Sequence, residues 1–388
     1  MPDEHALLSP SSAERWIHCP ASVRMAAAQP PEPDSPYAAE GTSAHTLGEL
    51  RLRQAFGQVG EYEAAVLYRQ WLSGAQANGY DVNAMNAHAA EYAQLVRDRA
   101  AVHPASAVMA EQRVQTGIEG CWGTADCVIV SPTHVEIIDL KYGQGVRVSP
   151  VENPQLMLYG VGALEMFGDT LGVTETVYVT VFQPRLDHTE TWCISAGDLR
   201  AWRDSLRPIA ADALAGSDRF GPGESTCRWC PAAGVCTARR DYVLQQDFTG
   251  NLDEMDPADL AEALALVPTI RQWCDDIQAH AMRLVYAEGQ QVPGWKVVRG
   301  RGRRAVTDEA AAVQRLVEAG FTEDDVVQRK LLGITALDKL VGRDHLANVL
   351  GDLIQVTEGG PALVPESDRR PSINPNENAA KEFSDADA

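Results

Sequence analysis

The sequence predicts an α/β fold in which three strands, a helix and a further strand follow one another, and three stretches carry that expectation. Residues 133–141 (THVEIIDLK) are apolar on both faces at Val135, Ile137, Ile138 and Leu140, the pattern of a strand covered on both sides. Upstream, residues 127–130 form a short β-branched run closed by Ser131-Pro132, and residues 107–114 (AVMAEQRV) supply an earlier strand. Downstream, Asn153 caps a helix with Pro154 at its first position, residues 155–167 continue at helical spacing, and residues 176–182 (TVYVTVF) alternate as a strand. With helical segments in front, the order is αβββαβ.

The charged groups of these elements fall where chemistry can use them. Asp139 and Lys141, two apart, share one face of their strand and leave Leu140 to the core. Asp126, after Gly123-Thr124-Ala125, is a second carboxylate at strand level. Two carboxylates converging on one point are costly unless a cation lies between them, and oxygen ligands favour Mg²⁺ or Mn²⁺. Such an ion activates water and stabilises charge on a phosphate, with a lysine assisting. Gln155 and Tyr159 share a helix face one turn apart.

GxxD at 123–126, DxK at 139–141 and QxxxY at 155–159, in that order, resemble the RecB-type branch of the PD-(D/E)XK nucleases, with Asp139 where a glutamate is usual. The resemblance implies a restriction-endonuclease-like core and divalent-metal-dependent DNA hydrolysis, with Asp126, Asp139, Lys141, Gln155 and Tyr159 as the catalytic set. It further implies a metal-binding histidine on a helix ahead of the sheet, in a G-x3-H setting that Gly41 to His45 match. A glutamate on the first strand, here Glu111, either touches the metal or pairs with Arg113 or Lys141. The expected metal ligands are therefore His45, Glu111, Asp126 and Asp139, with Glu49, one turn from His45, as a further candidate. An imidazole tilts the preference toward Mn²⁺.

Composition bounds the rest. At 388 residues and 45% hydrophobic, the chain can bury a large core. No apolar run approaches the ~20 residues of a membrane span, and the N-terminus lacks a basic region followed by an apolar one, so the expected location is the cytoplasm. A formal net charge of −21 argues against a protein that coats nucleic acid by bulk electrostatics. A nuclease can be this acidic provided its groove is locally basic.

In chain order, residues 9–26 predict a capped short helix and a Cys-Pro turn with Cys19 at the helix end, and residues 27–38 a loop. Residues 40–56 predict a helix capped at Gly41, Thr42 or Ser43, residues 61–102 further helix broken near 78–83, and residues 195–215 another helix. No internal repeat is present.

Eight cysteines in a reducing compartment are read as metal ligands where they cluster. Cys227, Cys230 and Cys236 form C-x2-C-x5-C, and the pattern leaves the fourth ligand open; four thiolates suit zinc or an iron-sulfur cluster. RecB-type nucleases of the AddB and CRISPR-adaptation kinds place one cysteine before the core and C-x2-C-x5-C after it. That resemblance implies a [4Fe-4S] cluster on Cys19, Cys227, Cys230 and Cys236, joining both ends of a nuclease domain of residues 1–245, with zinc as the fallback. Cys121, Cys127, Cys193 and Cys274 read as buried thiols.

Residues 246–356 are expected to be a helical region. It starts at Asp256-Pro257 and is interrupted by residues 294–304 (GWKVVRGRGRR), a basic strand or hairpin whose Lys296, Arg299, Arg301, Arg303 and Arg304 suit a phosphate backbone. Trp295 reads as a core residue, residues 307–354 as two or three short helices, and residues 357–388 as a flexible acidic tail. The basic stretch and the run 362–371 resemble a family of phage and prophage proteins that share the nuclease core. The expected function is a metal-dependent DNA exonuclease on single strands or duplex ends. A recombination or single-strand-binding protein is an implied partner, and a homo-oligomer one way of enclosing DNA. An end-trimming nuclease dependent on partners and a non-catalytic iron-sulfur scaffold are the alternatives.

Overall fold

The structure, a computed structural model, describes residues 6–30, 35–171, 175–245, 255–298, 308–327 and 331–354. The chain divides into two compact units, Met1–Val298 and Arg299–Ala388.

The first unit opens with a 3-10 turn, α1 (Ala13–His18) and α2 (Ser22–Ala27), with Cys19 ending α1 as expected. Three long helices follow: α3 (Pro36–Ala55), α4 (Glu61–Ala77) and α5 (Val82–Ala101). The start of α3 differs from the sequence expectation. Ser35, accepting from the Ala38 N–H, caps it with Pro36 at the first position, so Gly41, Thr42 and Ser43 lie inside the helix.

The sheet contains β1 (Ala107–Ile118), β2 (Cys121–Val130), β3 (His134–Leu140), β4 (Thr176–Gln183) and β5 (His188–Ser195), in spatial order β1-β2-β3-β4-β5. All pairs are antiparallel except β3 with β4, which α6 (Pro154–Leu171) connects. The expected helix, three strands, helix, strand order is present within this mixed α/β fold. The edge strand β5 is additional to it.

Two helical layers cover the sheet. On one face Cys127, Ile129, Ile138 and Leu140 pack with Leu52 of α3 and Tyr92 and Val96 of α5. On the other, Ala125, Val128, Ile137 and Val179 pack with Leu156 and Val161 of α6 and with Leu199 of α7 (Ala196–Leu214). This double burial explains why β3 reads as a continuous apolar run.

After α7 come α8 (Glu224–Cys227), α9 (Thr237–Leu244) and α10 (Pro257–Met282), the last capped by Asp256 and ending in a π turn. Helix α10 packs on α8, α9 and the turn at 233–235, so this unit runs on to Val298. Cys193 and Cys274 are exposed rather than buried, whereas Cys121 and Cys127 are buried as expected. Cys193 lies on the edge strand, and α10 turns Cys274 outward. Trp295 is 79% exposed, not a core residue. Among the described residues the second unit contains α11 (Glu309–Glu318), α12 (Glu323–Val326), α13 (Ile334–Val341) and α14 (Arg343–Leu350), where two or three short helices were expected. Arg299, Arg301, Arg303, Arg304 and the 357–388 tail lie outside the described residues. Among the described residues no helix is long and apolar enough to cross a membrane.

Candidate functional site

A shared irregularity in β1 and β2 creates the site. Strand alternation should keep residues two or four apart on one face. Yet Ala110 faces the α3/α5 core while Val114 faces the α6/α7 core, and Cys127 and Ala125 are likewise on opposite faces. Each strand therefore slips out of its alternation at the same place, between the pairs Ala110↔Cys127 and Gln112↔Ala125, while the register between the strands stays the same across it. Glu111 and Asp126 occupy the slip, and Glu111 takes a left-handed backbone (φ 48°) that non-glycine residues rarely adopt. A strained residue of this kind is a marker of function that the surrounding structure has to hold in place.

Both carboxylates meet His45, which α3 projects toward the sheet. One ligand atom each of His45, Glu111 and Asp126 lies within 4.8 Å of the other two. Asp126 Oδ1 is 3.2 Å from His45 Nδ1, and Asp126 Oδ2 accepts from the Leu140 N–H at 2.8 Å. That second bond falls just past the last β2–β3 pair, Cys127↔Ile138, so the carboxylate takes over the ladder where the strands part. Glu49 is not one of these three; it pairs with Arg53 at 2.6 Å.

Asp139 and Lys141 approach from the other face. Ile137 faces α6 and Leu140 faces α3/α5, which puts Asp139 and Lys141 on the α6 side. Lys141 Nζ lies 2.8 Å from Asp139 Oδ2 and donates to Asp139 Oδ1 at 3.1 Å and to Gln155 Oε1 at 3.3 Å. Gln155 Nε2 in turn donates to Asp139 Oδ1 (3.5 Å) and to the Tyr159 hydroxyl (3.4 Å). Asn153 caps α6 by accepting from the Gln155 N–H, fixing the turn that presents this side chain. The two groups are close enough to feel one another's charge, Lys141 acting on Asp126 and Asp139 on His45, although Asp139 is not one of the three residues whose ligand atoms cluster within 4.8 Å.

The electrostatics follow from crowding buried charges. Burial works against ionised Asp126, but His45 and Lys141 outweigh it and hold its carboxyl below the ordinary value. Burial pushes Asp139 up, with Lys141 opposing and Asp126 adding to the rise. Glu111 is pushed up to about 7, by burial first and then by Asp126 and Glu49. Burial disfavours charged Lys141, yet Asp139 and Asp126 raise its pKa, so it stays an ammonium; His45 is raised in the same way by Asp126. Burial also keeps the Tyr159 phenol protonated.

These groups fit a hard divalent ion. Asp139 Oδ2 is buried without a hydrogen bond, since the Lys141 ammonium beside it lies off the bonding direction. The imidazole and two carboxylates of His45, Glu111 and Asp126 are a donor set for Mn²⁺ or Mg²⁺, whereas Asp139, the fourth expected ligand, lies outside that cluster with its Oδ2 held by the Lys141 ammonium at 2.8 Å.

Gln183 was missed from the sequence. Only 1% exposed, it donates to the Gly143 and Val146 carbonyls (3.3 and 2.8 Å) and accepts from the Val148 N–H (3.0 Å). It thereby fixes the loop that follows Lys141. A glutamine closing an apolar strand was the available signal. Lys296, in contrast, is exposed and outside any strand, and nothing places it at this site.

The four expected cysteines do come together. Cys19, Cys227, Cys230 and Cys236 line one cavity with Met25, Phe220 and Ala233. Burial raises the Cys19 thiol, but the Gly221 and Ser22 N–H groups point at its sulfur and oppose the rise; the Ala232 N–H and Arg15 do the same for Cys230. N–H groups aimed at sulfur favour thiolate, the ligating form. The approach at Gly221 is tight: a Cβ there would lie 2.1 Å from the His18 carbonyl oxygen. Arg15 donates to the Trp229 carbonyl (3.0 Å), Arg24 to that of Ser217 (2.9 Å), and the Ala21 N–H to that of Arg219 (3.1 Å). The N-terminal helices are thus stitched to residues 217–229.

A family model described as "Protein of unknown function (DUF2800)" matches residues 5–371, nearly the whole chain. The chain belongs to the DUF2800 family. A solved structure titled "Crystal structure of SSO0001" is similar to this DUF2800 protein at 13% identity, over 56% of this chain and 95% of its own. Its TM-score of 0.25 is too low to establish a shared fold.

Proposed function

We propose that this protein is a divalent-metal-dependent deoxyribonuclease with a PD-(D/E)XK core, acting as an exonuclease on single-stranded DNA or duplex ends. The observation that carries the proposal is the cluster of His45, Glu111 and Asp126 in electrostatic reach of a second, hydrogen-bonded group of Asp139, Lys141, Gln155 and Tyr159. These are the residues through which the sequence resembles RecB-type nucleases.

His45, Glu111 and Asp126, with Asp139 as the fourth ligand that the resemblance implies, would hold the ion, which when bound supplies an activated water and a Lewis acid for a phosphoryl oxygen. Because Lys141 stays protonated it is no general base. Its role is to stabilise the negative charge that grows on the phosphate, from a position fixed by Asp139 and Gln155. The Gln155 amide spans Lys141, Asp139 and Tyr159 and keeps the acid and the amine in register. Tyr159, a phenol throughout the working pH range, serves as a hydrogen-bond donor to the substrate strand.

The four-thiol cavity supports a [4Fe-4S] cluster in a structural role, with zinc as the other ion such a donor set accepts. It would tie α1 to the segment after α7. The test is anaerobic purification followed by digestion of 5′- and 3′-labelled single and double strands in Mn²⁺ and Mg²⁺, with Asp139→Ala alongside. Stepwise shortening by the wild type alone is expected, and the label released gives the polarity. Equal cleavage by Asp139→Ala, or none by a folded wild type, would overturn the assignment.

A further inference from the structure

The cysteine segment has an outer wall that the nuclease reading leaves unused. Between this segment and α10 lies a cavity of about 310 Å³ lined by Arg228, Trp229, Cys230, Asp276, His280 and Arg283. In a chain of net charge −21, two arginines on one small cavity beside an exposed indole stand out. The lining acid Asp276 is paired with Arg239, a guanidinium fully buried behind it, and Arg283 has a half-exposed carboxylate, Glu288, at 3.8 Å that a phosphate would have to share or displace, while Arg228 pairs with no acid among the described residues. Arg283 donates to His280 Nδ1 at 3.0 Å. An arginine can only donate, so His280 accepts at Nδ1 and its proton stays on Nε2 as a further donor. Trp229 is 79% exposed, with the Arg228 guanidinium 5.5 Å from its ring centre. Arg15 holds the Trp229 backbone in place.

We propose that this cavity binds one nucleotide unit of a single DNA strand, its base stacked on Trp229 and its phosphates held by Arg228 and Arg283. Cations on two separate elements bracketing an exposed indole suit an alternation of phosphate and base. The exposure of Trp229 leaves a side open for the strand to continue, which a site for a free nucleotide would not need. The choice of DNA as occupant rests on the nuclease reading, whereas the site is separate from the carboxylate centre. Cys230 forms part of the wall, so a bound strand would lie against the loop that carries three of the four thiols.

The test is fluorescence anisotropy of a fluorescein-labelled 12-mer of thymidylate with the full-length protein in EDTA, where cleavage is silent. Trp229→Ala, Arg283→Ala and Arg228→Ala/Arg283→Ala are compared with wild type, and Trp229→Phe serves as the stacking-competent control. We expect at least ~10-fold weaker binding for Trp229→Ala, near wild-type binding for Trp229→Phe, and a salt dependence of log K shallower by about 1.4 for the double variant. Arg283 is remote in sequence from the thiols, so Arg283→Ala keeps the test valid if changes at 228 or 229 disturb the cysteine loop. Binding within twofold of wild type in both Arg283→Ala and Trp229→Ala would overturn the proposal. So would thymidine monophosphate competing as well as the 12-mer, which would mark a free-nucleotide site. Wild type that binds the 12-mer through these residues but never cleaves it would sink the nuclease reading alone; wild type that cleaves while Trp229→Ala and Arg283→Ala bind normally would sink this proposal alone.

Discussion

The carboxylate site and the cysteine site are built by opposite means. The first is carried by regular elements: a break in alternation shared by β1 and β2 brings Glu111 and Asp126 to His45 of α3, and the end of β3 sets Asp139 and Lys141 beside Gln155 of α6. The second is carried by short turns, and its geometry depends on backbone contacts between residues about 200 apart in sequence, above all the approach of Gly221 to His18. A site on a ladder tolerates side-chain replacement without loss of fold, because backbone hydrogen bonds hold the frame. A site on turns is itself part of what holds the fold.

That contrast orders the expected effects of mutation. The largest is on the proposed nuclease activity: Asp126→Ala or Asp139→Ala should lower cleavage by ~10³-fold or more, while circular dichroism and the absorbance expected of the cluster proposed at the four thiols stay as in wild type. Loss of that absorbance in either variant would show that the two sites are not independent. Next, Cys236→Ser, or removal of the metal group proposed at the four thiols, should cost up to about 5 kcal/mol of stability, the entropy released when a loop of roughly 200 residues is no longer closed. Gly221→Ala should do the same without touching a ligand, since its Cβ would strike backbone rather than a movable side chain. Chemical denaturation measures both, and a Gly221→Ala protein of wild-type stability and colour would break the comparison.

Smaller effects sharpen it. Lys141→Ala leaves Asp139 buried without its cation and should cost about 3 kcal/mol in metal-free protein, and Asp139→Ala/Lys141→Ala less than that single change. The pH dependence of metal binding follows from Glu111, whose carboxyl is raised to about 7. In the metal-free folded protein it keeps a proton that the unfolded chain releases near pH 4.5, so folding stability falls as pH rises through this window and is lowest above 7. The metal needs the carboxylate, so calorimetry should find Mn²⁺ affinity rising by up to about tenfold per pH unit below 7 and flattening above it. Glu111→Gln should reduce that slope. Smallest of all, Cys193→Ser on the exposed edge strand should shift stability by no more than about 0.5 kcal/mol in either direction.

Much of this organisation was legible in the sequence because burial imposes simple patterns. Residues 133–141 and 176–182 are apolar enough to announce covered strands, and Asn153-Pro154 announces the start of α6 to the residue. The edge strand β5 was not legible: HTETWCIS has one half-buried face and no apolar run, and it follows a 3-10 turn ending at Asp187 in a left-handed backbone (φ 48°). The start of α3 was misplaced for a similar reason. Gly41, Thr42 and Ser43 look like caps, but Ser35-Pro36 begins the helix five residues sooner, and alanines carry it through. At the site, Asp126, Asp139, Lys141, Gln155 and Tyr159 stood out by their order and spacing, and His45 and Glu111 only through the resemblance to RecB-type nucleases, while the arrangement of all seven was not legible. Nothing in AVMAEQRV shows that Glu111 leaves the regular alternation, because that slip arises from β1 and β2 together.

The link between Cys19 and residues 227–236 sets an order of events during synthesis. At roughly 5–20 residues per second, Cys19 leaves the ribosome about ten to forty seconds before Cys236 is made. The elements that carry Glu111, Asp126, Asp139 and Lys141 are complete well before then, so the sheet can form around them while the first thiol is still alone. For that interval Cys19 is a single thiol without its three partners. Until residues 217–229 are made, the N-terminal helices lack the Ser217, Arg219 and Trp229 carbonyls that hold them, so in an incomplete chain proteolysis is expected to begin at that end.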